Sequence, residues 1–343
     1  MHIKRIGFDL AKFVFEVHGV DAKDEIVLRK TLQRDAVAQL FAEIEPCIVG
    51  MKAFCGSHYW ARVLTDLGHE VRLISPQFVK PYVKSNKNGR NDVEAICEAV
   101  GRPSMRFLPP KSAEQLEIQA VHRIRQRVVA NRTRLVNQVR GLLGEHSVVV
   151  ARDITRIRRA LGEIADSNVS GFGDIFIDML RDMRDELAEL DNRLAGYNRR
   201  IKTLFRRNEM CQRISQIEGV GPITATALVA AVGDKSCFKN GRQFAAWLGL
   251  VPKQHSSGGK ARLFGISKRS DRYLRTLLIR GARAVLSRAA GKTDARSQWI
   301  GRMRERRHPN VVAVALANKN ARIIWSLLSR DQEYCPAHEM SFS

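Results

Sequence analysis

Two long proline-free stretches constrain this chain more than any other feature. From Ala113 to Glu145, apolar residues recur at helical spacing. They are Leu116, Val121, Ile124, Val128, Leu135, Val139 and Leu142. A second stretch, from about Ile175 to Phe205, carries a stripe of Leu180, Met183, Leu187, Leu190 and Leu194. We therefore predict two long amphipathic helices around a shorter helical insert, which form an antiparallel helical arm or coiled coil.

The first predicted helix is strongly basic. Between Val121 and Arg140 it carries six arginines and no acidic residue. These are Arg123, Arg125, Arg127, Arg132, Arg134 and Arg140. An arm of this charge favours contact with phosphates, whereas helix-on-helix core packing with a solvated basic face is the plainer alternative.

Before the arm, the sequence has the pattern of a mixed α/β domain. A first strand precedes a tight turn at residues 9–12, and further strands are predicted at 13–17, 24–31, 47–51 and 70–75. Helices are predicted at 34–43 and 58–67, between the later strands. Strands in hairpin order followed by strands alternating with helices are expected of a ribonuclease-H-like, or RuvC-like, fold.

After the arm, the sequence predicts a mostly helical region with glycine-rich breaks at 219–222 and 256–259. The predicted domains are 1–112 (α/β), 113–208 (helical arm), 209–330 (helical) and a polar tail at 331–343. The fold class is therefore α/β plus α.

The charge balance points to a polyanionic partner. The chain of 343 residues has 58 Lys and Arg against 35 Asp and Glu, a formal net charge of +23. Nucleic acid is the default partner for such an excess, and an acidic membrane surface is the weaker option. Binding to DNA should weaken steeply with salt.

Several other classes are disfavoured. The six cysteines are scattered, without C-x-x-C pairs, which argues against a zinc ribbon or disulfide scaffold and for a reducing cytoplasm. The first residues lack the pattern of a secretory signal, and the purest apolar stretch, Val311 to Ala317, is too short to span a bilayer. We expect a cytoplasmic protein without a membrane partner.

A Gly-x-Gly-Pro turn lies between two predicted helices. Gly219 and Gly221 allow a tight turn, and Pro222 suits the first turn of the helix that contains Thr224. The free N–H groups of such a helix end can bind a phosphate without reading a base. The turn predicts a helix-hairpin-helix motif on the DNA backbone, with Gly219, Gly221 and Thr224 as its nucleic-acid contacts. An ordinary helix connection is the alternative.

Two adjacent serines, Ser256 and Ser257, precede two glycines in a strongly basic segment. Between Gly258 and Arg288 there are nine basic residues and one acid, Asp271. The predicted phosphate contacts are Lys260, Arg262, Lys268, Arg269, Arg272 and Arg275. A serine hydroxyl there could attack a phosphodiester, with guanidinium groups stabilising the transition state.

Two acidic residues stand out in the first domain. Asp9 follows an apolar strand, where a buried carboxylate is costly unless it binds a metal or a donor. Asp92 opens a predicted helix, as a metal ligand or as a stabiliser of the helix N-terminus. Together they could form part of a two-metal magnesium site, although each alone is more often structural.

Five segments together resemble the insertion-sequence 110 family of DEDD-type transposases, which is related to the pilin-gene invertases. The segments are IGFDLAK, MKAFCGSHYWAR, NKNGRNDVEAICEAV, the GVGP turn and GLVPKQHSSGGKARLFGISKRSDRYLRTLLIRGARA. The similarity extends over nearly the whole chain. It implies a RuvC-like domain with four acidic residues, a coiled-coil connector and a C-terminal transposase domain with a nucleophilic serine.

The resemblance also implies the chemistry and the partners. The nucleophile falls on Ser257, with Ser256 as the fallback, and strand exchange runs through a phosphoserine intermediate with Mg²⁺. The resemblance further implies that the two domains assemble a composite site and that the protein forms a homo-oligomer, a dimer or tetramer. It also implies that a structured noncoding guide RNA selects the DNA.

The chain departs from the family at two of the four acidic positions. The first and last acids match Asp9 and Asp92, whereas the other two positions hold Lys52 and Gly89. A cation needs several oxygen ligands and is repelled by an ammonium, so we predict poor or no Mg²⁺ binding here. Lys52 is expected to pair with Asp9 or Asp92 instead, and the nearby Glu94 and Glu98 are not expected to substitute.

Two hypotheses of function follow. The first is a DNA transposase or site-specific recombinase guided by RNA. The second is a catalytically inactive nucleic-acid-binding derivative, which acts as a regulator or inhibitor. A RuvC-like nuclease without the serine step is disfavoured, because such hydrolysis depends on the metals.

Overall fold

The computed structural model describes residues 2–84, 88–166, 172–232, 238–258, 260–269, 271–330 and 334. These residues fall into two compact units, the first comprising 2–113 with 238–239 and the second comprising 114–232 with the described residues from 240 onwards. The arm and the region after it belong to the same compact unit. Each unit is described separately below.

The first unit is built on a six-stranded mixed sheet. Its strands are β1 (Arg5–Asp9), β2 (Val14–Val20), β3 (Ile26–Gln33), β4 (Ile48–Lys52), β5 (Glu70–Ile74) and β6 (Phe107–Leu108). The strand order is β3-β2-β1-β4-β5-β6. The first three strands are antiparallel, β4 and β5 run parallel to β1, and β6 is antiparallel. The predicted order of hairpin strands and later alternation is confirmed.

Helices cover both faces of this sheet. They are α1 (Ala36–Glu43), α2 (Ser57–Asp66), α3 (Pro76–Val79) and α4 (Gly89–Val100). On one face, Phe8, Phe15, Phe41 and Trp60 form an aromatic core with α1 and α2. On the other face, α4 packs Ile96 and Val100 against the sheet.

The second unit is mostly helical. Its helices are α5 (Ala113–Glu145), α6 (Ile154–Asp166), α7 (Asp174–Arg207), α8 (Glu209–Ser215), α9 (Pro222–Val232), α10 (Gly241–Trp247), α11 (Arg272–Leu286), α12 (Ala295–Arg306) and α13 (Pro309–Ser329). The two long helices α5 and α7 confirm the prediction closely. They share a core with α6, in which Leu143, Ile157 and Leu180 are fully buried.

The described residues of the predicted glycine-rich break, 256–258, belong to a β-hairpin. Strands β7 (Pro252–Ser257) and β8 (Lys260–Ile266) pair antiparallel, with Ser257 opposite Lys260. Gly258 follows β7 with a φ of +55°, a backbone conformation that favours glycine in a tight hairpin turn. The sequence predicted the break between helices but not the hairpin, because a strand whose residues are nearly all polar lacks an apolar alternation.

One described helix, α13, is long and apolar enough to cross a membrane by length and composition alone. In the second unit 61% of its apolar window is buried, as is usual for a core helix of a water-soluble protein. The sequence prediction considered only seven residues of this helix, since Asn318, Lys319 and Asn320 interrupt its apolar run.

Candidate active-site residues and nucleic-acid interface

The three charged residues singled out in the first unit lie together. Asp9 ends β1, Lys52 ends the neighbouring β4, and Asp92 lies in the first turn of α4. The ammonium Nζ of Lys52 is 2.9 Å from Oδ1 of Asp9 and 3.3 Å from Oδ2 of Asp92. The three side chains are 15–21% exposed. The expected ion pair of Lys52 is thus present, with both carboxylates.

Two glycines bring α4 close enough to the sheet for this contact. A Cβ at Gly7 would lie 2.3 Å from the carbonyl oxygen of Val93, and one at Gly50 would lie 2.7 Å from Cβ of Val100. Because side chains alternate along a strand, Gly7 and Asp9 share one face of β1. The glycines therefore let α4 settle on that face and bring Asp92 to the end of β1.

The ammonium offsets one of the two carboxylate charges in this site. Burial raises the pKa of Asp9 above its usual value, and the adjacent Lys52 counteracts part of that increase. The position of the third family acid is held by Gly89, the first residue of α4. Its nearest side chain is Glu16, whose carboxylate accepts hydrogen bonds from Thr31 at 3.0 and 3.1 Å.

The residues present do not fit a divalent cation. The ammonium of Lys52 lies between the two carboxylates that the described residues bring to this site, in the place that a cation would have to occupy to be bound by both. Glu94 pairs with Lys84 at 2.8 Å, and Glu98 pairs with Arg102 at 2.6 Å, so both are engaged elsewhere. Within the described ranges there is no group of three or more His, Cys, Asp or Glu that could hold a metal ion.

Replacing Lys52 with methionine should destabilise the first unit by about 2 kcal/mol at pH 7, because two largely buried carboxylates would lose their counter-charge. The pKa of Asp9, already raised, would rise further in this variant. The penalty is therefore fully present above this raised pKa and shrinks as the pH falls through it towards 3.8, the usual value for aspartate. Urea unfolding at pH 7 and pH 4 measures it.

The matched control is Lys30→Met, since Lys30 is exposed on β3. We expect this change to alter the free energy of unfolding by less than about 0.5 kcal/mol at either pH. An equal loss in both variants, or a loss in Lys52→Met that does not depend on pH, would contradict the assigned role of the ammonium.

In the second unit, the two candidate serines lie at the end of the exposed hairpin. Every residue of β7 is exposed, and Ser257 is its last residue. Gln254 donates a hydrogen bond from Nε2 to Oγ of Ser256 at 2.7 Å, so these two side chains share one face of the strand. Ser257 therefore lies on the opposite face, with His255. The alternation of side chains along β7 thus places the two serines on different faces of the strand, a distinction that the sequence analysis did not make.

Five of the six cations predicted for this region are exposed around the hairpin and its base. They are Lys260, Arg262, Lys268, Arg269 and Arg272. Arg275 is the exception and corrects the prediction, because it is buried and 8% exposed. Its guanidinium donates hydrogen bonds to the carbonyl oxygens of Leu248 and Arg269, at 3.2 and 2.9 Å. Arg275 thus stabilises the loops that flank the hairpin.

The six predicted arginines of α5 likewise divide into exposed side chains and side chains that bind neighbouring residues of the fold. Arg123, Arg127 and Arg134 are exposed. Arg132 pairs with Asp191 at 3.0 Å, and Arg125 donates to Oδ1 of Asn198 at 2.7 Å, so both tie α5 to α7. Arg140 donates to Oδ1 of Asn137 at 3.2 Å and is partly buried. Roughly half of the predicted arginine contacts are therefore structural, as the plainer interpretation of a basic helix expects.

The Gly-x-Gly-Pro turn packs against α11. Gly219 has a φ of +88°, and a Cβ there would lie 2.9 Å from the backbone of Gly281. Gly221 is exposed, with nothing within 4 Å of an added Cβ. Thr224 is 6% exposed, so the prediction that it contacts nucleic acid is corrected by its burial. Gly221 is the residue of this turn that stays open to a phosphate.

A buried polar network in the second unit was missed by sequence reasoning. His122 lies 3.0 Å from the hydroxyl of Tyr273 through Nδ1 and 3.0 Å from Oγ1 of Thr226 through Nε2. Because Thr226 donates its own hydroxyl to the carbonyl of Pro222 at 2.7 Å, it accepts from Nε2–H of a neutral imidazole. Burial and the charge of Arg125 lower the pKa of His122 to about 4. The one sequence signal for the burial of His122 is that it lies four residues after Ile118, on the same face of α5, and Ile118 is buried.

Cations of the hairpin should dominate the salt dependence of DNA binding. Changing Lys260 and Arg262 together to glutamine should lower the slope of log K against log salt by about 1.8 on duplex DNA, since each neutralised phosphate contributes about 0.9. Fluorescence anisotropy over a salt series measures this slope. The control, Arg181→Gln with Arg184→Gln, removes the same charge from α7, where both arginines pair with neighbouring acids. Equal slopes for the two double variants would exclude the hairpin from the interface.

Comparisons with known proteins agree with these features. Residues 6–148 match a family model described as a transposase, and residues 211–298 match the transposase IS116/IS110/IS902 family. The chain is 53% identical to a probable family 20 transposase of Pseudomonas aeruginosa, over 98% of this chain and 100% of that protein. It is 44% identical to the transposase for insertion sequence element IS1111A of Coxiella burnetii, over 97% of this chain and 91% of that protein. A pilin gene-inverting protein of Moraxella bovis is 21% identical to it, over 78% of this chain and 74% of that protein.

Proposed function

This chain belongs to the IS116/IS110/IS902 family of transposases, and we propose that it exchanges DNA strands through a phosphoserine formed on Ser257. The observation that carries this proposal is the position of Ser257 at the exposed end of a cationic hairpin. An exposed hydroxyl beside lysine and arginine side chains can meet a DNA backbone without any rearrangement of a core.

The chemistry assigned to the hairpin is nucleophilic substitution at phosphorus. Oγ of Ser257 forms a bond to phosphorus while the bond to a sugar oxygen breaks, and a second sugar hydroxyl later reverses this step on a new strand. The energy of the phosphodiester is kept in the phosphoserine, so strands can be rejoined without an external energy source. Cations beside the serine stabilise the charge on the phosphoryl oxygens.

The remaining expectations from the family resemblance form part of this proposal. They are a ribonuclease-H-like first unit, a helix-hairpin-helix contact at Gly221, a structured noncoding guide RNA and assembly into a dimer or tetramer. Hairpin strands followed by parallel strands support the first of these. The exposed cations of the hairpin and of α5 support binding of nucleic acid generally.

A second candidate function is favoured by one specific observation. The ammonium of Lys52 holds both carboxylates of the first-unit site, where the family resemblance implies Mg²⁺. A protein of this kind could keep its nucleic-acid surface and lose strand cleavage. It would then act as a regulator or inhibitor that occupies the same DNA or RNA as active relatives.

A plasmid recombination reporter distinguishes the two candidates. The reporter is run with the unmodified chain, with Ser257→Ala, and with Lys52→Glu combined with Gly89→Asp. Recombination by the unmodified chain that disappears with Ser257→Ala supports the transposase. Recombination only in the double variant supports the inactive binding protein, and recombination that persists in Ser257→Ala excludes the proposed nucleophile.

A further inference from the structure

The register of the hairpin places an imidazole beside the proposed nucleophile. Ser257 lies directly opposite Lys260, and His255 lies directly opposite Arg262. Residues two apart on a strand point to the same face, so Ser257 and His255 share a face and lie roughly 6–7 Å apart. Directly opposed side chains are about 5 Å apart at Cβ. The four side chains therefore form the corners of a rectangle on one exposed face.

Each corner of this rectangle carries a function that phosphoryl transfer needs. The hydroxyl of Ser257 and the ammonium of Lys260 form one end, and the imidazole of His255 and the guanidinium of Arg262 form the other. A phosphodiester that lies across the rectangle can contact both cations. In-line attack by the serine then directs the leaving sugar oxygen away from Ser257, towards the end that holds His255.

The ring of Phe264 packs against the imidazole of His255 and makes no hydrogen bond with its nitrogens. Phe264 contacts the imidazole edge to face, with ring centroids 5.5 Å apart and planes at 85°. His255 and Phe264 are both exposed, and in the described part of the chain neither ring nitrogen of His255 has a hydrogen-bond partner. The opposite face of β7 differs, because there Gln254 already donates to Ser256.

We propose that His255 is the proton donor to the leaving sugar oxygen, an inference that rests on the proposed function of Ser257. In the first step the Oγ–P bond forms, the bond from phosphorus to the sugar oxygen breaks, and the imidazolium donates its proton to that oxygen. The proton of the serine hydroxyl passes to water. In the return step neutral His255 takes the proton of the attacking sugar hydroxyl, and the released serine oxygen is protonated by water.

A bridging phosphorothiolate substrate tests this role. Its leaving oxygen is replaced by sulfur, which departs as a thiolate and needs no proton; two oligonucleotides carry the sulfur on the 3′ or the 5′ side. The rate of the covalent protein–DNA adduct is measured with the full chain and with the Lys52→Glu, Gly89→Asp double variant. His255→Ala should slow the adduct about 100-fold on ordinary DNA and by less than about threefold on one sulfur substrate.

The outcomes separate this inference from the proposed function. Equal slowing on ordinary and sulfur DNA, or no slowing, overturns the role of His255 and leaves the serine chemistry standing. Absence of an adduct from both backgrounds with every substrate overturns the proposed function and the inference together. Gln254→Ala, on the opposite face of β7, is the matched control, and anisotropy with each variant verifies that DNA binding is retained.

Discussion

Replacing Ser257 with alanine is expected to reduce the covalent protein–DNA adduct to the detection limit. In the proposed mechanism the serine oxygen is the atom that joins the protein to phosphorus, and alanine offers no substitute for it. The fold should be unaffected, because Ser257 is exposed and ends its strand. The adduct is measured by denaturing electrophoresis of the full chain after incubation with labelled DNA that carries the element ends.

The matched control lies one residue away. Ser256 is also exposed, but it accepts a hydrogen bond from Gln254 on the other face of β7. Ser256→Ala should therefore leave the adduct within about threefold of its original level, since exposed substitutions away from the reacting atoms have small effects. An adduct that survives Ser257→Ala and disappears with Ser256→Ala would move the nucleophile to the fallback position.

Both alanine variants are also made in the Lys52→Glu, Gly89→Asp background. If the unmodified chain forms little adduct, the double variant provides the signal against which the loss is measured. An undiminished adduct in Ser257→Ala, in a background that is active, would contradict the assignment independently of the state of the acidic site.

Long helices were the part of the fold that the sequence predicted best. The helices α5 and α7 are each about nine turns long. Their apolar residues recur over several turns, so an error at one position does not alter the period. The hairpin β7–β8 could not be found in this way. Its first strand reads Pro-Lys-Gln-His-Ser-Ser, and a strand that is exposed on both faces has no apolar alternation to detect.

The acidic site was partly predictable, since a lysine among expected carboxylates implies an ion pair. The contribution of Gly7 and Gly50 was not, because their effect arises from the close approach of α4 to the sheet and not from any residue pattern. The burial of Arg275 and Thr224 was missed for a related reason. A basic or polar residue in a basic segment looks exposed in sequence, and only packing shows that backbone carbonyls or apolar neighbours surround it.

The second large effect concerns divalent cations in the first unit. Two carboxylates and one ammonium give the present site a formal charge of −1, whereas Lys52→Glu with Gly89→Asp gives four carboxylates and −4. One unit charge at 4 Å contributes about 4 kcal/mol at an effective dielectric constant of 20, and 1.4 kcal/mol is tenfold in affinity. We therefore expect Mn²⁺ to bind the double variant at least about 100-fold more tightly than the unmodified chain.

The geometry permits this double change. Gly89 is the first residue of α4, a position where an acidic side chain is favoured, and the nearest atom to its added Cβ is Cγ of the flexible Glu16, at 3.1 Å. Titration of Mn²⁺ by electron paramagnetic resonance measures binding without any requirement for activity. Thermal unfolding with and without Mn²⁺ provides a second measurement, because a ligand that binds the folded state raises its stability.

A neutral pair of substitutions of the same shape isolates the effect of charge. Lys52→Gln with Gly89→Asn removes the ammonium and fills the space at Gly89, but adds no carboxylate, so it should gain little affinity for Mn²⁺. Adding Asp9→Asn to the Lys52→Glu, Gly89→Asp double variant should then weaken Mn²⁺ binding again, since Asp9 is one of the two carboxylates that face position 52. Tight Mn²⁺ binding by the unmodified chain, abolished by Asp9→Asn, would show instead that the Lys52 ammonium yields its place to a metal.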